Sequence, residues 1–212
     1  MSLKSELILY SRLCHRNKFV SATDGNLSVR TRKNFILATA ASSYKGKLSG
    51  KELVKINFKG QRIQGKGEAS SEIKLHMFIY KLRKDVKAII HTHPKFATAF
   101  AAAGISFDKA VYPEVYIKFG KIPLAKYATP ATDEVPESIV KYVKEHNAIL
   151  LANHGLVTYG SDLMDAYLKT EKIEHMAETS FYARLLGGEK ALTKTQLKKL
   201  DEIKNQKSNI KK

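Results

Sequence analysis

With 212 residues the chain is long enough for one well-buried core, and a hydrophobic fraction of 43% fits a globular protein rather than a disordered one. A formal net charge of +17 raises an anionic partner, while a single cysteine, Cys14, excludes an intrachain disulfide and fits a reducing, cytoplasmic compartment. The apolar runs fall short of a membrane span, and the start MSLKSELILYSRLCHRNKF has scattered charges and no cleavable apolar core, so neither a membrane segment nor a signal peptide is expected.

Apolar residues at helical spacing predict an amphipathic helix over residues 3–19. TDGNLSVRTRKNFILAT (23–39) reads as a turn and a two-stranded hairpin, and ELVKINFKGQRIQG (52–65) as a second strand pair around Lys59-Gly60. SSEIKLHMFIYKLR (70–83) predicts a helix with serines at its N-terminal cap and Glu72 in its first turn. VKAIIHTH (86–93) is a short buried strand, and Pro94 opens a helix over 94–104. GKIPLAKYA (120–128) reads as a strand, and residues 132–146 as a helix capped by Thr132 or Asp133. NAILLANHGLVTYG (147–160) reads as two buried strands around a turn at Asn153-His154-Gly155. Residues 161–188 form one long helix ended by Gly187-Gly188, and a further helix is expected over 193–205. Strands and helices mix without strict alternation, which points to a three-layer α/β fold with an antiparallel or mixed sheet rather than a doubly wound one. No repeat or low-complexity linker precedes the tail. Residues 1–190 are therefore expected to form a single domain, with 191–212 a lysine-rich C-terminal helix or tail.

Many of the basic residues sit in that tail and the rest are dispersed. No basic run is interleaved with aromatics, and no zinc-finger, homeodomain or RNP-type pattern occurs, which argues against nucleic acid as the partner. A phosphorylated small molecule needs only a few well-placed donors.

His91 and His93 carry the first chemical signal. Residues two apart on a strand share a face, so both imidazoles could reach one ion. The pair alone is equally compatible with an incidental strand end. Of the other five histidines, His15, His146 and His175 lie in charged helical contexts, and His76 lies mid-helix at an apolar place that suits packing or support. His154 sits in a tight turn between two apolar strands, where a polar side chain must be held by something. His91, His93 and His154 together compose a candidate metal site with an open position, a catalytic rather than structural arrangement. Glu72 is a candidate acid/base, although a first-turn glutamate commonly serves only the helix dipole. Ser70 and Ser71 cap helices routinely, yet hydroxyls and free N–H groups at a helix start also cradle phosphate. The turn Thr23–Asn26 is structural by default and a donor-rich nest where it faces a ligand.

In their order and spacing, TDGNLSVR, ILATAASSYKGKL, EASSEIKLHMFIYKLRKDVKAIIHTHP, YATPAT and ILLANHGLVTYGSDLMDAYLKTEKIEHMAE resemble the class II aldolase/adducin family, most of all its L-fuculose-phosphate aldolase branch. The likeness runs over most of residues 5–186. It implies a three-layer α/β/α fold with a central, mainly antiparallel sheet, and a homotetramer with active sites at subunit interfaces. It implies one Zn2+ per subunit, or another divalent ion, on His91, His93 and His154, with Glu72 as acid/base. Phosphate would be held by Thr23, Asn26, Ser70, Ser71 and the turn backbone at Ala41-Ser42. A tyrosine donated by a neighbouring subunit falls on Tyr112. The implied reaction is retro-aldol cleavage of a ketose 1-phosphate to glycerone phosphate and an aldehyde. Asp24 replaces the usual serine of the turn, Ser42 stands where the family usually has glycine, and Ala131 stands at a second such position.

Three rival readings share these motifs. The 5-methylthioribulose-1-phosphate dehydratases resemble the chain in the same histidines, with a catalytic glutamate that falls on Glu114; otherwise Glu114 is an exposed turn residue. Pentulose-phosphate 4-epimerases resemble it with an aspartate where Glu72 stands. Adducin-like members keep the fold as non-catalytic binding modules and lose ligands, and the presence of all three histidines argues against that case.

Overall fold

A computed structural model describes residues 1–209; positions 210–212 of the expected C-terminal tail lie outside the described residues. The elements, in chain order, are α1 (Leu3–Arg16), β1 (Asn26–Arg30), β2 (Ile36–Thr39), β3 (Leu53–Ile56), β4 (Arg62–Gln64), α2 (Ile73–Leu82), β5 (Ala88–Thr92) and α3 (Lys95–Ala102). They continue with α4 (Pro113–Phe119), β6 (Leu124–Ala125), α5 (Glu134–Ile139), β7 (Ala148–Leu151), β8 (Gly155–Gly160), α6 (Leu163–Leu185) and α7 (Lys194–Asn209).

Strands β5, β7 and β8 are buried at every position, as strands covered on both faces must be. All eight strands join one sheet in the order β4-β3-β2-β1-β5-β8-β7-β6. Every pairing is antiparallel except β6 with β7. Alternate side chains divide between the two faces. Ile89, Val157 and Ile149 pack with Leu75, Ile79 and Tyr80 of α2 and with Val135 and Ile139 of α5. Ala88 and Ile90 turn to the opposite face, against Leu7 of α1 and Ala166 of α6. On that same face Leu150 and Leu156 pack against Phe100 of α3 and Ile173 of α6. The result is the α/β/α sandwich with a mainly antiparallel sheet that the resemblance implies.

Several elements differ from expectation. Helix α1 stops at Arg16, because the chain reverses at Lys18, whose φ is +60°. Helix α2 begins at Ile73, so Glu72 occupies its N-cap position instead of its first turn, and its side chain makes no capping bond. The helix expected over 132–146 is regular only in α5; β-branched Ile139, Val140 and Val143 favour helix poorly, and the chain continues as turns. The strand expected over 120–128 shrinks to β6 at the sheet edge, where Pro123 cannot donate to a ladder. Helix α4 was not expected, and it places Glu114 in a first turn rather than a loop. The tail helix α7 is anchored to α4 through Tyr116 Oη donating to Asp201 at 3.0 Å, and the segment before it through Leu192 N–H donating to the Ala110 carbonyl at 2.8 Å.

Ala131 adopts a φ of +67° in the turn before α5, a conformation in which a Cβ is unfavourable. Glycine removes that penalty and adds some unfolded-state entropy. The Ala131→Gly variant is expected to gain about 0.5–1 kcal/mol, read as a higher urea midpoint at unchanged slope; a lower midpoint contradicts the strain.

Candidate metal centre and anion pocket

The centre sits where β5 and β8 end side by side. His91 pairs across the sheet with Val157 on one side and Asn26 on the other. Its Nδ1 lies 3.1 Å from the Leu156 carbonyl. A carbonyl only accepts, so Nδ1 carries the proton and the Nε2 lone pair is left facing the centre. His93 lies just past the strand, held by its N–H donating to the Phe19 carbonyl at 2.9 Å. His154 sits in the β7–β8 turn, next to Asn153 at a φ of +57°. Two glycines permit this proximity. A Cβ on Gly155 would lie 2.5 Å from the Thr92 carbonyl oxygen and 2.6 Å from the His93 ring. A Cβ on Gly25, whose φ is +69°, would lie 2.8 Å from the His91 carbonyl oxygen.

The three imidazoles converge on one point. His91 Nε2 is 3.2 Å from His93 Nε2 and 3.3 Å from His154 Nε2. Metal–nitrogen arms of about 2.0–2.1 Å at tetrahedral angles put donor atoms roughly 3.3–3.4 Å apart. Lone pairs crowded this closely repel unless a proton or a cation stands between them. The donor set and its spacing therefore fit a divalent metal, and His91, His93 and His154 could hold one.

Glu72 closes the fourth side. Its Oε2 accepts from Asn26 Nδ2 at 2.7 Å and lies 3.3 Å from His91 Nε2, and its Oε1 lies 3.1 Å from His154 Nε2. Burial alone would raise the Glu72 carboxyl, and an acid/base working near neutrality would need such a rise. Here the His91 and His154 imidazoles outweigh burial and hold it well below the usual carboxylate range. Burial likewise would lower His91, but the Glu72 carboxylate raises it; the two shifts are one interaction. Glu72 opposes the fall at His93 less effectively, and burial beside two other imidazoles pushes it down to about 3. Behind Glu72, fully buried His76 is bonded through Nδ1 to Ser28 Oγ at 2.7 Å, and Ser28 Oγ meets Tyr80 Oη at 2.9 Å. His76 is thus a packed residue tied into the support of the site.

Thr23, Asn26, Ser42, Ser70 and Ser71 all line one cavity of about 230 Å³, together with Glu72, His93 and His154. Asn26 is a partial exception to its expected phosphate role, since its amide is committed to Glu72. Ser42, where the family usually has glycine, adopts a φ of +54°, a conformation that glycine takes most readily. Asp24 leans toward His93, with 3.9 Å between Oδ2 and Nδ1. Lys45, unremarked in the sequence, also lines the cavity; it is 1% exposed and donates to the Thr23 carbonyl at 2.7 Å. Nothing in the run SSYKGKL distinguishes this lysine from the many solvated ones. Tyr112 and Glu114 do not line this cavity. Tyr112 borders a separate one of about 530 Å³ with Phe107, Met176 and Arg184, and Glu114 is exposed on α4.

Comparison with known proteins bears on this geometry. The family described as class II aldolase and adducin N-terminal domain matches residues 5–181. The L-fuculose phosphate aldolase of Methanococcus maripaludis is 32% identical over 86% of this chain and 98% of its own. The 3-oxo-tetronate 4-phosphate decarboxylase of Haemophilus influenzae is 31% identical over 95% and 97%. The solved L-fuculose-1-phosphate aldolase of Thermus thermophilus superposes with a TM-score of 0.78 at 28% identity, over 90% of this chain and 98% of its own.

If the three nitrogens hold the ion, purified protein should carry about one divalent metal per chain by elemental analysis. Gly155→Ala, which drives a methyl into the His93 ring, should lose most of that metal, as should His93→Ala. Full metal retention in both variants would contradict the site.

Proposed function

This chain belongs to the class II aldolase and adducin family, and from that membership we propose a zinc-dependent aldehyde-lyase that cleaves a ketose 1-phosphate, of the L-fuculose 1-phosphate kind, to glycerone phosphate and an aldehyde. Enzymes of the class are metal-dependent and act on phosphorylated sugars. The observation that carries the reading is the convergence of three Nε2 atoms and the Glu72 carboxylate beside a cavity lined by serine and threonine hydroxyls.

In this reading His91, His93 and His154 hold the zinc. When bound, it polarises the ketose carbonyl as a Lewis acid and stabilises the negative charge that develops as the carbon–carbon bond breaks. Thr23, Ser42, Ser70 and Ser71 hold the phosphate, with Asn26 orienting Glu72 at their edge. A base removes the proton from the hydroxyl that becomes the aldehyde, and the electron pair of the broken bond stays with the glycerone fragment. Glu72 then delivers a proton to that fragment's carbon. That delivery requires Glu72 first to take up a proton, made good by the one released from the hydroxyl, so its carboxyl would have to rise from the low range that contact with His91 and His154 imposes. Tyr112 serves the aldehyde-end oxygen from a neighbouring subunit, because its position in its own chain is outside the cavity. The family likeness supports a homotetramer as the working unit and the single cysteine a cytoplasmic one, with residues 1–190 as its domain and 191–212 as an appendage. No helix among the described residues is long and apolar enough to cross a membrane.

A panel of fuculose, rhamnulose, ribulose and methylthioribulose 1-phosphates tests the reaction, alongside 3-oxo-tetronate 4-phosphate. Aldehyde release is the expected outcome; loss of water would indicate the dehydratase, and release of carbon dioxide the decarboxylase. Glu72→Gln should lower kcat by about 10²–10⁴-fold, while Glu114→Gln should retain most activity. The reverse pattern would transfer the acid/base role to Glu114 and overturn the aldolase assignment.

A further inference from the structure

The cavity beside the histidines has an electrostatic problem. Its lining carries two carboxylates, Asp24 and Glu72, and a phosphate dianion placed there would be repelled by both. Lys45 is the one lysine or arginine among the described residues that line it. We propose that Lys45 is the anion-selecting residue of this cavity, its ammonium bonding directly to a phosphate oxygen of the substrate. The inference rests on reading the cavity as a sugar-phosphate site.

The seat of this lysine is built rather than incidental. Lys45 opens a short 3-10 turn, Lys45–Lys47, that is clamped against α1. Arg12 Nε donates to the Leu48 carbonyl at 3.0 Å, and the rings of His15 and Tyr44 meet edge to face at 4.8 Å. Gly46 lies so close beneath them that a Cβ would sit 2.8 Å from the His15 ring. Ser43 Oγ donates to the Ala40 carbonyl at 2.7 Å and pins the approach. A residue so confined loses little further freedom when it binds a ligand.

Of its three N–H donors, one goes to the Thr23 carbonyl at 2.7 Å. A surface lysine would leave the others to water; this one is buried at a cavity wall, so a ligand oxygen is their natural acceptor. Burial lowers the Lys45 ammonium to about 8, with the Asp24 and Glu72 carboxylates opposing the fall, so it is charged at neutral pH. The same arrangement accounts for Asp24 in a turn that meets a phosphate. Its negative charge is matched by Lys45 below, and its carboxylate is drawn toward His93.

The test titrates inorganic phosphate and glycerone phosphate calorimetrically into the metal-loaded full-length protein and into its Lys45→Met variant. Methionine keeps the length of the side chain and removes the charge. Dissociation constants should rise about 10- to 100-fold in the variant, with metal content and melting temperature held. Equal affinity in the two proteins, with wild-type binding intact, overturns the role of Lys45 and leaves the sugar-phosphate reading standing. Absence of binding to the wild type overturns both. Should the variant not fold, wild-type crystals soaked in phosphate decide the matter. Lys45 Nζ is expected within about 3.2 Å of a phosphate oxygen, and a bound phosphate out of its reach refutes the proposal.

Discussion

Two imidazole nitrogens, of His93 and His154, held 3.2–3.3 Å from His91 Nε2, with a carboxylate against His91 and His154, cannot be an indifferent arrangement. His91 is fully buried with its lone pair facing the other two rings, and the cost of that desolvation is met by something positive at the centre. Protonation of His91 beside the Glu72 carboxylate would provide it, and their contact holds the Glu72 carboxyl low and raises His91. A divalent cation provides it better, because it satisfies all three nitrogens at once. The rest of the molecule can be understood as the frame that keeps those four groups from moving apart.

The frame is mostly backbone. The β5–β8 ladder brings Leu156 beside His91 and so fixes which ring nitrogen is protonated. The absence of a side chain at Gly155 lets the His154 turn close on His93, and the absence of one at Gly25 lets the Thr23–Asn26 turn lie on β5. Glu72 is delivered by the start of α2 and steadied by Asn26 of β1, so helix layer and sheet meet at the carboxylate. The cavity for the anion lies on the same seam, between the β1 and β2 turns and the start of α2. Sheet order, turn geometry and chemistry are therefore one construction. A slip of one residue in β5 would turn His91 to the other face and dismantle the centre.

How much of this could be read beforehand varied with the kind of signal. Regular periodicity carried the layers: the runs around Ile89 and Val157 and the long helix through Ile173 appear as expected. The three histidines were visible because their contexts were unusual, although the argument from a shared strand face holds less well for His93, which lies past the end of β5. Glu72 was hidden behind a capping role that it does not play. Helix α4 had a legible signature, proline at its first position and glycine just after its end, which the reading of Glu114 as a turn residue passed over. Lys45 had no signature at all, since burial of a particular lysine is decided by tertiary packing against α1. The positive φ values of Ser42 and Ala131 fall at places where the family usually has glycine, the residue that adopts them most readily.

The central claim is that His91, His93 and His154 jointly bind one divalent metal. X-ray absorption spectroscopy of the zinc-loaded, full-length protein tests it most directly. The account predicts a first shell with three imidazole nitrogens at about 2.0–2.1 Å and the remainder oxygen. A shell with one imidazole or none, or one built from oxygen alone, would contradict it.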